Sequence, residues 1–387
     1  MPKARILPVI VLAQFCCTSL WFAGNAVMGD LVNHLGINNN ALGHTTSAVQ
    51  FGFILGTLVF AIFLITDRFS PSKVFFVCAL LGALCNLGIT IGQQNLVSLL
   101  VLRALTGFFL AGIYPVGMKI ATDYYQSGLG QSLGFLVGAL VLGTAFPHVV
   151  KSITTSFSWS SVIIFTSILA ILGGVFMLLF VPDGPYRTAN TSLDFSSCFK
   201  IFNKQAFRKA AFGYFGHMWE LYAFWAFVPH ILKTYLTLHP NATFNIPLVS
   251  FFIIASGALG CVLSGCLSIN WGTKRVATSA LMLSGVCCLL SSLLFYLPQP
   301  FFIGFLLFWG IVVVADSPLF STLVAQNADD NLKGSALTLV NCIGFGITII
   351  SIQLINSLQN DITMPFLFIL LAIGPLCGTI ILLKPIK

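Results

Sequence analysis

The sequence predicts an all-α integral membrane protein with twelve transmembrane helices in two halves of six. Of its 387 residues, 57% are hydrophobic and 7% charged, with 37 Phe and a mean hydropathy of +0.98. Too few charges exist to solvate an aqueous surface, so lipid must be the solvent. Twelve long apolar runs fill almost the whole chain, and the few charges inside them sit in corresponding spans of its two halves.

A span needs about 20 apolar residues, each adding roughly 1.5 Å across a hydrocarbon core of about 30 Å. Spans 1 to 6 cover residues 6–28, 43–65, 74–92, 96–118, 129–150 and 160–181. Spans 7 to 12 cover 211–232, 248–268, 277–297, 301–325, 335–355 and 364–383. The first six-helix domain is therefore 1–181, a cytoplasmic linker occupies 182–209, and the second domain is 210–387. Span 1 follows Lys3 and Arg5, carries Gln14 and Asn25 and lacks a small-residue cleavage site, so it reads as a retained span rather than a signal peptide.

With twelve spans both termini share one side. That side collects Lys3, Arg5, Arg68, Lys73, Lys119, Arg187, Lys200, Lys204, Arg208, Lys209, Lys274, Arg275, Lys333, Lys384 and Lys387, against Lys151 and Lys233 opposite and Arg103 within a span. The excess places both termini in the cytoplasm of a plasma (inner) membrane. Topology thus accounts for the net charge of +8, and no nucleic-acid partner is implied. In the linker, Phe195, Phe199 and Phe202 at helical spacing beside Lys200 and Lys204 fit either an interfacial helix or a plain connection.

Ten of the 11 Cys lie within spans, and no ligand-like CxxC pair with matching His spacing occurs, so they read as packing residues. No Walker-type Gly-rich loop is present to use ATP, and loops this short assemble no Ser/His/Asp or metal-ligand set. An enzyme and a resident cofactor are both excluded from the expectation. Asn241-Ala242-Thr243 matches the glycosylation pattern, a triplet that chance often supplies.

Span 1 carries Gln14, Thr18, Trp21 and Asn25 at i, i+4, i+7 and i+11, one stripe of an otherwise apolar helix. Lipid offers neither donors nor acceptors, so the stripe needs a partner helix, water or a solute. Arg103 in span 4 shares a face with Gly107, Leu110 and Tyr114. A central Arg costs about 2.5–3.5 kcal/mol by insertion scales, too much to face lipid. Its planar fork suits a solute carboxylate or phosphate, or bonds to neighbouring helices.

Span 7 reads GYFGHMWELYAFWAFVP, with His217 and Glu220 three residues apart; span 10 has Asp316 just before Pro318. A carboxylate poised between burial and a nearby cation can load and release a proton. Glu220 is the first candidate for that site and Asp316 the second, with His217 tuning whichever is used. A static ion pair or hydrogen-bond network is the competing reading.

The halves also echo each other. Leu20-Trp21 in span 1 matches Met218-Trp219 in span 7, and Tyr114-Pro115 in span 4 matches Ser317-Pro318 in span 10. The loop after span 2 reads Asp67-Arg68-Phe69-Ser70-Pro71-Ser72-Lys73; the loop after span 8 has Gly265, Ile269-Asn270, Gly272, Lys274 and Arg275. These loops resemble the two copies of the major facilitator superfamily signature of Gly, three residues, Asp-Arg, one residue, Gly, then basic residues. Phe63 and Ser70 replace the glycines in the first copy, and Ile269-Asn270 replace Asp-Arg in the second. Span 4, RALTGFFLAGIYPVGMKIATD, carries Arg103, Gly107, Ala111, Pro115 and Asp123 at a spacing this superfamily often shows.

The resemblance implies two pseudo-symmetric six-helix bundles around a central cavity, lined by spans 1, 4, 7 and 10 and exposed alternately to each side. It also implies a cytoplasmic latch of Asp67, Arg68 and Asp123, and a functional monomer embedded in the bilayer. Candidate solute-binding residues are Arg103, Gln14, Trp21, Asn25, Tyr114, Trp309 and Asn341. In span 5, Gly134 and Gly143 match the spacing of the family's antiporter signature, but Pro147 arrives one residue early, which leans toward uptake. The favoured reading is proton-coupled uptake of a small polar organic solute, expected to be anionic because Arg103 and His217 offer positive charge, such as a metabolite or a carboxylate-rich siderophore. Proton-driven export of a drug-like or metabolic compound is the second reading. A non-transporting receptor or assembly protein is the third, disfavoured because it has no use for costly intramembrane charges.

Overall fold

A computed structural model describes residues 5–38, 40–92, 94–125, 129–154, 158–187, 200–329, 332–359 and 361–384. Lys3, Lys387, Phe195 and Phe199 lie outside the described residues; Phe202 packs edge-on against Phe207 with ring centroids 5.1 Å apart. The chain forms two compact units, Met1–Leu193 and Asp194–Lys387, with spans 1 to 6 in the first and 7 to 12 in the second.

Among the described residues, ten helices are long and apolar enough to cross a membrane. In the first unit, span 2 is Ala41–Ile62, span 3 Pro71–Gly88, span 5 Leu129–Ile153 and span 6 Ser160–Phe180. In the second, span 8 is Ile246–Trp271, span 9 Thr273–Leu290 and span 11 Lys333–Leu358. Span 12 reaches its main helix, Ile373–Leu383, through a short helix and a 3₁₀ turn. Spans 4 and 10 complete the ten, and spans 1 and 7 are not among them. Span 1 is interrupted, with helix at Ile6–Thr18 and Ala23–Ala26. Span 7 is a 34-residue helix, Gln205–Leu238, whose polar and aromatic content dilutes its apolar character.

Spans 4 and 10 break at matching places. Span 4 is helical over Leu96–Leu110 and Tyr114–Tyr124, and span 10 over Gln299–Ala315 and Ser317–Asn327. Pro115 and Pro318 each fall in the first turn of the second piece, where a missing N–H leaves no bond unmade. The sequence match between Leu20-Trp21 and Met218-Trp219 has no such counterpart, since span 7 runs unbroken through Met218-Trp219.

Small residues set the helix contacts. A Cβ on Gly52 or Gly107 would enter the backbone of the partner helix at Ala104 or Val49, so spans 2 and 4 touch backbone to backbone. Spans 8 and 10 repeat this arrangement through Gly260 against Ile311 and Gly310 against Ile253. In the span 8–9 loop Gly272 takes φ +86, which explains the glycine there; in the first loop the positive φ falls on Leu64 instead. A helix after span 1, Met28–Leu35, is tied to the end of span 5 by Asp30 and Lys151, 2.7 Å apart.

Candidate functional site

In the first unit, Arg103 is completely buried. Its Nη1 donates to Leu20 O at 3.1 Å and to Asn86 Oδ1 at 3.3 Å, and its Nη2 donates to Trp21 O. Leu20 and Trp21 lie in the gap between the two helical pieces of span 1, where carbonyls lose their helical donors; the guanidinium replaces those donors. Asn86 on span 3 is itself fixed by bonds to Ser167 Oγ at 2.9 Å and Thr166 Oγ1 at 3.3 Å. Gly24 makes room, since a Cβ there would lie 3.3 Å from Arg103 Nε. No carboxylate pairs with Arg103 among the described residues.

Uncharged polar groups on spans 1 and 2 face each other. Asn25 Nδ2 donates to Thr46 Oγ1 at 2.8 Å, and the rings of Trp21 and Phe53 lie 4.9 Å apart. These two contacts set an antiparallel register in which Gln50 falls on the stripe between them. Gln14 and Gln50 are fully buried, and neither amide oxygen nor nitrogen of either has a partner among the described residues. The break in span 1 interrupts the helical stripe read from the sequence, so Gln14 and Thr18 belong to one helical piece and Asn25 to the other. Tyr114 is half-buried at the start of the second piece of span 4, and Asn341 half-buried on span 11.

At the end of this unit that carries the span 2–3 loop, Lys119 Nζ lies 3.1 Å from Asp67 and 3.7 Å from Asp123. Arg68 is exposed and joins no ion pair among the described residues. The cations beside Asp67 are instead Lys119 and Arg187, whose Nη2 donates to Asp67 O at 2.9 Å and Phe69 O at 2.8 Å.

In the second unit, the buried groups His217, Asp316 and Glu220 form two arrangements. His217 Nδ1 and Asp316 Oδ1 are 2.7 Å apart, both essentially inaccessible. Asp316 stands at the break in span 10, so the interruption that Pro318 permits also delivers this carboxylate to span 7. One turn along span 7, Glu220 Oε1 accepts from Ser284 Oγ at 2.5 Å and from Trp309 Nε1 at 2.6 Å. Trp309 is stacked on Phe224 at 4.3 Å, which orients its N–H toward the carboxylate. Spans 7, 9 and 10 thus converge on one oxygen. Glu220 joins no ion pair among the described residues.

Several contributors escaped the sequence reading. Lys119 sits four residues before Asp123 in the span 4 motif, a signal that was legible. Gln50 falls at helical spacing from Thr46 and Thr57, a weaker signal. Asn86, Ser284 and Arg187 carry no pattern of their own; only the tertiary fold brings them to Arg103, Glu220 and Asp67.

The profile of the Major Facilitator Superfamily matches residues 10–352. The chain belongs to that superfamily and is a multi-pass membrane protein with its fold. A Haemophilus influenzae protein named as a bicyclomycin resistance protein homolog is 22% identical over 355 residues, 88% of this chain and 85% of that protein. An uncharacterized transporter of Buchnera aphidicola subsp. Acyrthosiphon pisum, BU588, is 25% identical over 143 residues; the match spans 36% of this chain and only 33% of that relative's length. Among solved structures, the human organic anion transporter MFSD10 (TETRAN) superposes with a TM-score of 0.76 at 14% identity, covering 99% of this chain and 100% of that one. A mutant of the nucleoside transporter NupG gives a TM-score of 0.73 at 16% identity, covering 98% and 99%.

Proposed function

We propose that this protein is a proton-coupled secondary transporter of a small polar organic solute, working by alternating access, with Glu220 as the coupling carboxylate. The observation that carries the reading is the environment of Glu220: buried, met by the neutral donors Ser284 and Trp309, and without an ion-pair partner among the described residues. A carboxylate with no counter-cation in a lipid-surrounded bundle is neutralised by a proton, which can be taken up on one side and released on the other. Asp316 is already paired with His217, which makes it the second choice.

On the solute side, the support shifts from Arg103 to Gln14 and Gln50. Arg103 gives three of its N–H groups to protein oxygens and keeps its Nε without a partner among the described residues, whereas both glutamine amides have neither donor nor acceptor used there. The solute is therefore one recognised by hydrogen bonds rather than by an anion's charge. The basic-residue excess supports termini in the cytoplasm, and the bacterial relatives support a plasma-membrane location. The incomplete antiporter pattern in span 5 supports uptake. Export is the second reading, favoured by the named resistance relative that matches nearly the whole chain.

The test starts from the purified protein and a thermal-shift screen of nucleosides, organic anions and bicyclomycin. In proteoliposomes given the stabilising compound, Glu220→Gln should abolish accumulation driven by a proton gradient while counterflow exchange continues. Accumulation that persists in this variant would remove Glu220 from the coupling step.

A further inference from the structure

Spans 7, 11 and 12 enclose an apolar groove of about 210 Å³, lined by Phe212, Phe215 and Trp219 of span 7, Ile350 of span 11, and Cys377 and Ile381 of span 12. Glycines create it. Gly216 and Gly374 approach so closely that a Cβ on either would enter the other's backbone, leaving a floor without side chains. Phe212 is 41% exposed and Ile350 60%, and Cys377 is exposed as well. In a membrane-spanning bundle such residues meet hydrocarbon. Trp219 donates its Nε1 to Leu370 O at 3.1 Å, so its one polar atom is already used.

One end of the groove is charged. Arg208, Phe212, Phe215 and Trp219 follow at i, i+4, i+7 and i+11, so Arg208 lies a turn beyond the groove on the same stripe. Lys384 stands three residues past Ile381 on span 12, and a bond from Lys209 Nζ to Lys384 O holds these two helix ends together. Arg208 and Lys384 are both exposed, and neither forms an ion pair among the described residues. Two unpaired cations at one rim of an apolar groove match a ligand with an anionic head and a hydrocarbon tail.

We infer that this groove holds one acyl chain of an anionic phospholipid, with the phosphate at Arg208 and Lys384. The dimensions agree. Eleven residues of helix separate Arg208 from Trp219, about 16 Å at roughly 1.5 Å per residue, which is close to half of a hydrocarbon core of about 30 Å and hence the reach of a chain from one leaflet. Cations at the membrane surface favour anionic over zwitterionic headgroups, and two of them acting together give a preference of roughly tenfold or more.

The experiment uses the full chain in phosphatidylcholine nanodiscs doped with lipids carrying brominated acyl chains, which quench indole fluorescence on contact. The contribution of Trp219 is the difference between wild type and Trp219→Phe. Brominated phosphatidylglycerol should quench that contribution at mole fractions about tenfold lower than brominated phosphatidylcholine. Arg208→Gln combined with Lys384→Gln should abolish the preference, and Cys377→Phe, which fills the groove, should abolish quenching by either lipid. Should Cys377→Phe fail to fold, Ile350→Phe fills the groove from the facing wall. Equal quenching by both headgroups, or a preference that survives removal of both cations, would reduce the groove to ordinary lipid contact and overturn the inference.

Discussion

In the N-terminal unit the buried cation Arg103 is met at its Nη atoms by carbonyl and amide oxygens; in the C-terminal unit the buried titratable groups His217, Glu220 and Asp316 are met by side chains. The backbone differs in step with the charge. Span 1 opens at Leu20-Trp21 and presents carbonyls to Arg103, whereas span 7 is continuous through Met218-Trp219 and spends no backbone group on His217 or Glu220. A guanidinium does not titrate at physiological pH, so Arg103 can fix a shape and cannot carry a proton. Carboxylates and imidazole can do both. The shared scaffold, with spans 4 and 10 broken at matching prolines, therefore holds a permanent charge against backbone in one half and titratable charges against side chains in the other.

Removing Arg103 should have the largest effect. Arg103→Ala leaves the carbonyls of Leu20 and Trp21 and the Asn86 amide oxygen buried without a donor, at about 1–3 kcal/mol for each unsatisfied group. Thermal unfolding in detergent should show a loss of at least about 3 kcal/mol, and Arg103→Lys should recover only part, because a point-like ammonium cannot reproduce the fork. A stable Arg103→Ala protein that merely fails to bind solute would restore the solute-anchor role and break the contrast between the halves.

Next in size is the His217–Asp316 pair. Asp316→Ala strands a buried imidazole, and breaking one side of a buried pair costs about 3–5 kcal/mol. Adding His217→Phe should restore much of the stability, so the double-mutant cycle should report a coupling of at least about 1 kcal/mol. Proton-driven transport should survive in the double variant at reduced rate if Glu220 carries the proton. Its complete loss, with stability restored, would move the coupling role to Asp316.

The unpartnered glutamines predict a change of the opposite sign. Gln14→Met and Gln50→Met each remove buried polar atoms that have no partner among the described residues, so each should raise stability by about 1–2 kcal/mol while weakening solute binding roughly tenfold or more. Calorimetric unfolding and solute titration on the same preparations separate the two effects. Variants that gain stability and bind normally would show that these amides face no solute.

What the sequence made legible follows from the physics of each feature. Span positions depend on local hydrophobicity, and the breaks in spans 4 and 10 sit beside Pro115 and Pro318, so both could be read along the chain. The break in span 1 could not, because the donor that stabilises it lies 83 residues away in Arg103. For the same reason, the uniform stripe expected from Gln14 to Asn25 is divided in two. His217 and Glu220 stood out as charges in an apolar run; Ser284, which donates to Glu220, is one hydroxyl among many in these helices.

The smallest effect belongs to the ion pairs of Lys119 in the first unit. Lys119 is 20% exposed and Asp67 8%, and the cation also serves Asp123 at 3.7 Å. Partly exposed pairs contribute about 1 kcal/mol or less and are screened by salt. Lys119→Ala should therefore lower unfolding stability by no more than about 1 kcal/mol, with the difference shrinking in high salt. Arg187→Ala should add to it with little coupling, because Arg187 bonds the carbonyls of Asp67 and Phe69 rather than the same carboxylate. A transport rate that falls several-fold in Lys119→Ala despite that small stability change would identify the Asp67–Lys119–Asp123 ladder as a latch acting on conformational exchange. A rate that follows stability alone would leave it as surface packing, and the functional charges would then be confined to the second half.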